Sequence, residues 1–324
     1  MKKIHIIPAL LPILLALALA SATTAAAAAP VRVLTFNILA SQPSWEKGAK
    51  CEPWARRMPI VLEIMRDQAG GAPFDFIGTQ ETSTHSKPEL HQVRHLAAGL
   101  SGYGSLYATV DGPGNEDKFS LTNMIFWRTS RWEIDPEDSG TFWLSDTPEI
   151  PGSNTWSPID EKTGKSTNKG GKRNVTYGLF HEIAGGKRTG KKVYFYNTHL
   201  NVHVPDARAK SAFLIMERIR KRRDQSAPII LTGDFNSRRD SIIYKYLTGI
   251  PVDFENETHT PPLALTEAFA AAGPQNQLPN IDFIFSTDGL KPRTAARITI
   301  RRDGVRPSDH SPIEATLEWK QRKE

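Results

Sequence analysis

Cysteine is nearly absent from this 324-residue chain. The single Cys51 rules out an internal disulfide framework and any thiolate-rich zinc site. His91 and His95, and His199 and His203, are each four apart, but neither pair has the glutamate that follows the first histidine in the helical zinc-hydrolase pattern, so that pattern is missing too. Charge of one sign is also scarce: 41 Lys and Arg against 35 Asp and Glu give +6, and removing Lys2 and Lys3 with a leader leaves +4. Such a mild excess favours meeting phosphates without requiring nucleic acid. Beyond the first thirty residues no apolar run is long enough to span a bilayer. With 39% hydrophobic and 23% charged residues, the chain can bury a sizeable core and is neither disordered nor fibrous.

The N-terminus has the pattern of an export signal. Lys2 and Lys3 precede an apolar run from Ile4 to Ala20 that Pro8 and Pro12 interrupt, and alanines follow. The expectation is a signal peptide over 1–29, a domain over 30–320, a tail over 321–324, and a monomer working in the periplasm or outside the cell. No integral membrane segment is expected after the signal is removed.

Within the domain, short β-branched and aromatic runs predict strands at Val31–Leu39, Phe74–Thr79, Met124–Trp127, Val193–Thr198, Ile229–Thr232, Ile281–Phe285, Ile298–Arg301 and Ile313–Trp319. Two helices are predicted, from Arg56 to Gln68 with Pro59 in the first turn, and from Asp206 to Arg223. Pro, Gly, Ser and Asn mark a long surface loop between Ser145 and Lys172, and shorter loops at Asp111–Glu116 and Asp253–Pro262.

Polar residues collect where these strands should end. Ile229-Ile-Leu-Thr-Gly-Asp-Phe-Asn236 runs from a buried strand into Asp234 and Asn236, two apart and able to share a face. Asp75-Phe-Ile-Gly-Thr-Gln-Glu81 ends on Glu81, Val33-Leu-Thr-Phe-Asn37 on Asn37, and Val193-Tyr-Phe-Tyr-Asn-Thr-His199 on His199. Asp282 sits inside an apolar run, where a carboxylate needs a partner such as a histidine, and Ser308-Asp309-His310 precedes the last strand. Singly, each is more often a turn or a structural residue than a functional one. Together, hard oxygen donors without cysteines suit Mg²⁺ or Mn²⁺ and a phosphate-ester substrate.

With Gly233-Asp-Phe-Asn236 and Ser308-Asp-His310 following Gln80-Glu81 and Thr198-His199, the sequence resembles the endonuclease/exonuclease/phosphatase superfamily over most of its mature length. Gly140-Thr-Phe-Trp-Leu-Ser145 and Arg173-Asn-Val-Thr176 are similar to a bacterial branch nearest the deadenylase and nocturnin group. The resemblance implies an α/β four-layer sandwich, two packed mixed β-sheets flanked by helices, with the site at one edge. It implies a metal held by Glu81 with Asn37 and Asp309 close by. Asp234 would orient or deprotonate water, Asn236 hold phosphate and water in line, Asp282 orient His310, and His199 contact phosphate or assist the leaving group. Whether His310 acts as base or phosphate clamp stays open. Arg173 and Asn201 are candidate substrate contacts, Arg173 reading equally as a structural ion pair. Many relatives carry Asp-His after Thr-His-Leu, where this chain has Asn201-Val202, so a carboxylate role does not transfer.

The expected activity is metal-assisted hydrolysis of phosphate mono- or diesters, with nucleic acid, phosphoinositide, another small phosphorylated molecule or sphingomyelin as substrate. Residues 187–223 hold eleven Lys and Arg against two acids, which reads either as a phosphate-attracting field or as a solvated helix face. The alternative is an idle fold that binds phosphorylated ligands or a protein through the same cleft.

Overall fold

A computed structural model describes residues 28–42, 52–66, 71–167, 169–274 and 281–320. The expected signal peptide up to residue 27, Cys51, the end of the first expected helix at Gln68 and the tail over 321–324 lie outside the described residues.

Two six-stranded mixed sheets face one another. The first holds β1 (Val31–Asn37), β2 (Phe76–Thr84), β3 (Tyr103–Leu106), β4 (Ser120–Arg128), β13 (Leu290–Arg297) and β14 (Ile313–Trp319), in the order β13-β14-β1-β2-β4-β3. The second holds β5 (Trp132–Trp143), β6 (Asn174–Ala184), β7 (Lys187–His199), β8 (Ile229–Asp234), β11 (Thr266–Glu267) and β12 (Asp282–Ser286), in the order β11-β12-β8-β7-β6-β5.

The central strands are apolar on both faces because both faces are covered. In β1, Val31 and Val33 point into the inter-sheet core with Phe76, Phe195 and Ile230. Leu34 and Phe36 point the other way, onto α1 (Trp54–Met65) and α2 (Gln92–Gly99). In β8, Ile230 faces the inter-sheet core, while Ile229 and Leu231 pack outward beneath α3 (Pro205–Arg220) and α4 (Ile242–Leu247). Four layers follow from this period-2 alternation.

Several expectations need correction. The first helix begins at Trp54, so Pro59 falls inside it rather than in its first turn, and the second ends at Arg220 rather than Arg223. Asp253–Pro262 is not a plain loop: β9 (Val252–Phe254) and β10 (Glu257–His259) pair as a hairpin. Ile298–Arg301 is no strand, because β13 ends at Arg297 opposite Ile313, where β14 begins. The loop between Ser145 and Lys172 is irregular as expected, apart from an isolated bridge between Ile159 and Ser166. Trp143 is buried and donates to the Val110 carbonyl at 2.7 Å, and Tyr177 packs against the outer core of the second sheet. Among the described residues no helix is long and apolar enough to cross a membrane.

Candidate active site

Each sheet contributes one parallel pair, β1 with β2 and β7 with β8, and both pairs end at the same edge. There β1 delivers Asn37 opposite Gln80, β8 places Asp234 beside His199 of β7, and antiparallel β12 sets Asp282 against Asp234. The Asn37 amide joins the two sheets: its Nδ2 donates to Glu81 Oε1 at 3.2 Å and to Asp234 Oδ2 at 3.0 Å.

Two backbone irregularities aim these groups. The β2–β4 register slips between Thr79 and Thr82, and Glu81 inside that bulge has φ 58°. A bulge re-aims one side chain, and a non-glycine residue held at positive φ stores strain that its surroundings must fix. Asn236 has φ 47°, a conformation asparagine tolerates, and its N–H donates to Asp234 Oδ1 at 2.9 Å. Gly233 is required for close packing, since a Cβ there would lie 2.4 Å from the Thr198 carbonyl oxygen.

Asp282 Oδ2 accepts from His310 Nδ1 at 2.8 Å, which turns Nε2 toward Asp234 Oδ2 at 3.7 Å. Burial works against the imidazolium, but its hydrogen bond to Asp282 and the charges of Asp282, Asp234 and Asp309 outweigh it and raise its pKa to about 10. Burial and the charge of Asp282 push the Asp234 carboxyl well above the usual range, against the pull of His310 and the Asn236 and Asn37 donors. Ser308 ties the preceding turn down by donating to the Asn37 carbonyl at 2.7 Å.

His199 is held neutral, its pKa driven well below 6.5 by burial and then by Arg173 and His310. The Asn236 amide fixes its tautomer. Nδ2 donates to the Leu200 carbonyl at 3.0 Å and faces His199 Nε2 at 2.9 Å, so Nε2 accepts and Nδ1 carries the proton. That proton points at Arg173 Nη1, 3.5 Å away, and two donors facing each other make no useful bond. Arg173 is 6% exposed, its Nε has no partner, and no carboxylate lies within ion-pair distance among the described residues. Burial lowers its pKa, opposed by Glu81 and Asp234. A structural ion pair therefore does not account for Arg173. A buried, unneutralised guanidinium is costly unless an anion joins it.

The other substrate-contact candidate, Asn201, is fully buried and engaged: Nδ2 donates to the Lys169 carbonyl at 3.1 Å, and Oδ1 accepts from His203 and Val204 N–H at 2.9 Å each. It secures a loop rather than offering a free group to substrate. Sequence reasoning missed Arg57, a fully buried guanidinium whose donors reach the carbonyls of Ile38 at 2.6 Å, Leu39 at 3.1 Å and Pro307 at 3.0 Å. A cation in a helix pattern carries no mark of burial, so only its place beside two site loops reveals it.

The donor set fits a hard divalent cation. Glu81 is partly exposed and offers both oxygens, with Oε2 accepting only the Ala40 N–H, at 3.3 Å, among the described residues. Asp309 is exposed, with Oδ1 accepting from the Ser308 hydroxyl at 3.2 Å, and no side-chain bond joins it to Glu81 or Asn37 among the described residues. A second acidic group, Asp234, Asp282 and His310, has ligand atoms within 4.8 Å of one another, but there Asp282 is already engaged by the imidazole.

Residues 34–310 match the Endonuclease/Exonuclease/phosphatase family. A structure of an endonuclease/exonuclease/phosphatase from Bacteroides vulgatus superposes with a TM-score of 0.68 at 25% identity, covering 90% of this chain and 100% of that one. The mannosyl-6-phosphatase of Bacteroides thetaiotaomicron superposes at 0.65 with 22% identity, covering 89% and 100%, and the human Nocturnin catalytic domain at 0.61 with 18% identity, covering 91% and 96%. A curated sequence, the probable CCR4-Not complex 3'-5'-exoribonuclease subunit Ccr4 of Encephalitozoon cuniculi, is 29% identical over 240 residues, 69% of this chain. The chain spans 44% of that relative's length.

Proposed function

We propose, from the premise that this chain belongs to the Endonuclease/Exonuclease/phosphatase family, that it hydrolyses phosphate esters by in-line attack of water at the edge where Glu81, Asp234 and His310 converge. The observation that carries this reading is the junction of the two sheets through Asn37, which holds Glu81 and Asp234 within reach of one amide.

Asp234 is the group positioned to take the proton of the attacking water. Asn236 has its amide nitrogen engaged, leaving Oδ1 to orient that water. As the new O–P bond forms and the ester O–P bond breaks, charge accumulates on the phosphoryl oxygens, where the His310 imidazolium and the Arg173 guanidinium can meet it. This favours His310 as clamp or proton donor over base. His199, neutral and accepting from Asn236, holds that amide in place. Mg²⁺ or Mn²⁺, held by Glu81 with Asn37 and Asp309 beside it, would supply further neutralisation of phosphate charge when bound.

Export supports access to extracellular phosphate esters, nucleic acid among them, and rests on the N-terminal pattern of residues 1–29. Purified protein is expected to turn over bis(p-nitrophenyl) phosphate or p-nitrophenyl phosphate with added Mg²⁺ or Mn²⁺ and to stop with chelator. Asp234→Ala and His310→Ala should each lose about 10²-fold or more. A folded wild type inactive on both esters would instead support an idle, ligand-binding fold.

A further inference from the structure

The outer face of the second sheet holds a cavity of about 490 Å³, far larger than a water site and sized for a small organic molecule. It opens between β5, β6 and β7 on one side and the C-terminal half of α3 on the other. None of Asn37, Glu81, His199, Asp234 or His310 lines it. Tyr196, on its wall, points outward from β7, three residues before His199 and therefore on the opposite face of the strand.

The floor is a broken ladder of rings. Tyr177 and Tyr196 stand opposite one another on β6 and β7 and stack, with centroids 5.7 Å and planes 16° apart. The next rung, on β5, is Gly140, so no side chain at that rung covers the far face of Tyr177. A Cβ at Gly140 would lie 3.8 Å from Tyr177 Cε1, so the missing side chain is what leaves the space open. Phe142, two residues further along β5, closes one end, and the Arg218 guanidinium of α3 sits over its ring at 5.2 Å.

The charges of this wall are already met. Arg218 pairs with Glu149, Lys221 with Glu217 at 2.9 Å, and Arg223 with Asp138 at 3.3 Å. The Arg222 guanidinium donates instead to the carbonyls of Ile219, Gln225 and Ala227. What is unmet is neutral hydrogen-bonding capacity. Tyr196 is 2% exposed, yet its hydroxyl has no hydrogen-bond partner among the described residues, and neither has that of Tyr177. Arg218 likewise makes no hydrogen bond through Nε or Nη1 among the described residues. A buried hydroxyl costs free energy unless something in the cavity pairs with it.

We infer that this cavity binds a neutral, hydroxyl-bearing ring, a saccharide unit, at a site separate from the catalytic edge. Sugar hydroxyls both donate and accept, which suits a wall that offers two tyrosine hydroxyls, the open donors of Arg218 and the carboxylate of Glu149. The C–H face of the same ring packs on the open face of Tyr177, where the π-system is negative. A free anion would face Asp138, Glu149 and Glu217, and a free cation four cationic side chains, with no unpaired opposite charge to receive either.

The test titrates the methyl glycosides of glucose, galactose and mannose into the protein, followed by calorimetry and saturation-transfer NMR. At least one should bind with a dissociation constant on the order of 1 mM or tighter, and inorganic phosphate should not displace it. Tyr196→Phe removes one hydroxyl and keeps the stacked ring, and Arg218→Ala removes the donors on the helix side. Each should weaken binding about fivefold or more, the scale of one hydrogen bond, while turnover of bis(p-nitrophenyl) phosphate stays as in the wild type. Failure of all three glycosides to bind, displacement by phosphate, or an affinity unchanged in both variants would overturn the inference. A fall in turnover that tracks the loss of binding would overturn the separation of this site from the catalytic edge.

Discussion

His310 shows how one neighbour sets the chemistry of a side chain. Its ring is oriented by Asp282 at 2.8 Å, and although burial opposes the charged form, the surrounding carboxylates raise its pKa to about 10 from an ordinary 6.5. Folding therefore takes up this proton. The stabilisation is complete below about pH 6.5 and is lost as pH rises through about 10. In metal-free Asp282→Asn, an NMR titration should find the His310 imidazolium giving up its proton at clearly lower pH than in the wild type. The stability difference between the two proteins, measured by urea unfolding, should shrink from pH 7 toward pH 10.5. An unchanged His310 titration would show that Asp282 does not hold the proton there.

At the scale of the element, the site depends on how strand ends are held once the strands stop. Arg57, in the first half of α1, gathers carbonyls from the segment after β1 and from Pro307 just before Ser308-Asp-His310, while its guanidinium also lies 5.3 Å from the Trp54 ring. Lysine keeps the charge but not the planar fork that serves several carbonyls at once. Arg57→Lys should cost about 2 kcal/mol in urea unfolding, because buried carbonyls lose charged donors. It should also slow ester turnover by loosening both Asn37 and His310. An unaltered unfolding midpoint together with unaltered turnover would dismiss this role. Such a contact lies outside what patterns reveal, whereas Ile229–Asp234 was legible because a strand buried on both faces leaves an apolar run, and Ile313–Trp319 because its apolar residues alternate with polar ones. The edge strand β5 was not, since Trp132–Trp143 carries Pro136, Gly140 and four acids with mostly half-exposed side chains, and so lacks both period and apolarity. Ile298 and Ile300 misled for the opposite reason: they are β-branched, yet they pack against the α1 and α2 layer from a loop.

At the scale of the molecule, the candidate site exists only while the two sheets keep their relative position, because Asn37 and Glu81 come from one and His199, Asp234, Asn236 and Asp282 from the other. Apolar packing between sheets does not fix such a position to a fraction of an ångström, but directional bonds do. Beneath the site a polar seam crosses the core: Asn197 Oδ1 accepts from Gln80 Nε2 at 2.7 Å and from Thr232 Oγ1 at 3.0 Å, while its Nδ2 donates to the carbonyls of Thr79 at 2.9 Å and Met124 at 2.8 Å. Gly78 lets the sheets approach at this point, since a Cβ would lie 2.5 Å from Thr232 Oγ1. Asn197 sits two residues before His199 on the same face of β7 but deeper in the core, where no strand-end pattern marks it. Asn197→Leu leaves the Thr79 and Met124 carbonyls without this donor and Gln80 without its closest acceptor, so urea unfolding should report a loss of about 3 kcal/mol or more. Well below its melting temperature the variant should still fold, yet turn over phosphate esters more slowly, as the 3.0 Å contact from Asn37 to Asp234 spans the same two sheets. A variant that unfolds at the wild-type urea concentration would mean that apolar packing alone holds the sheets in register.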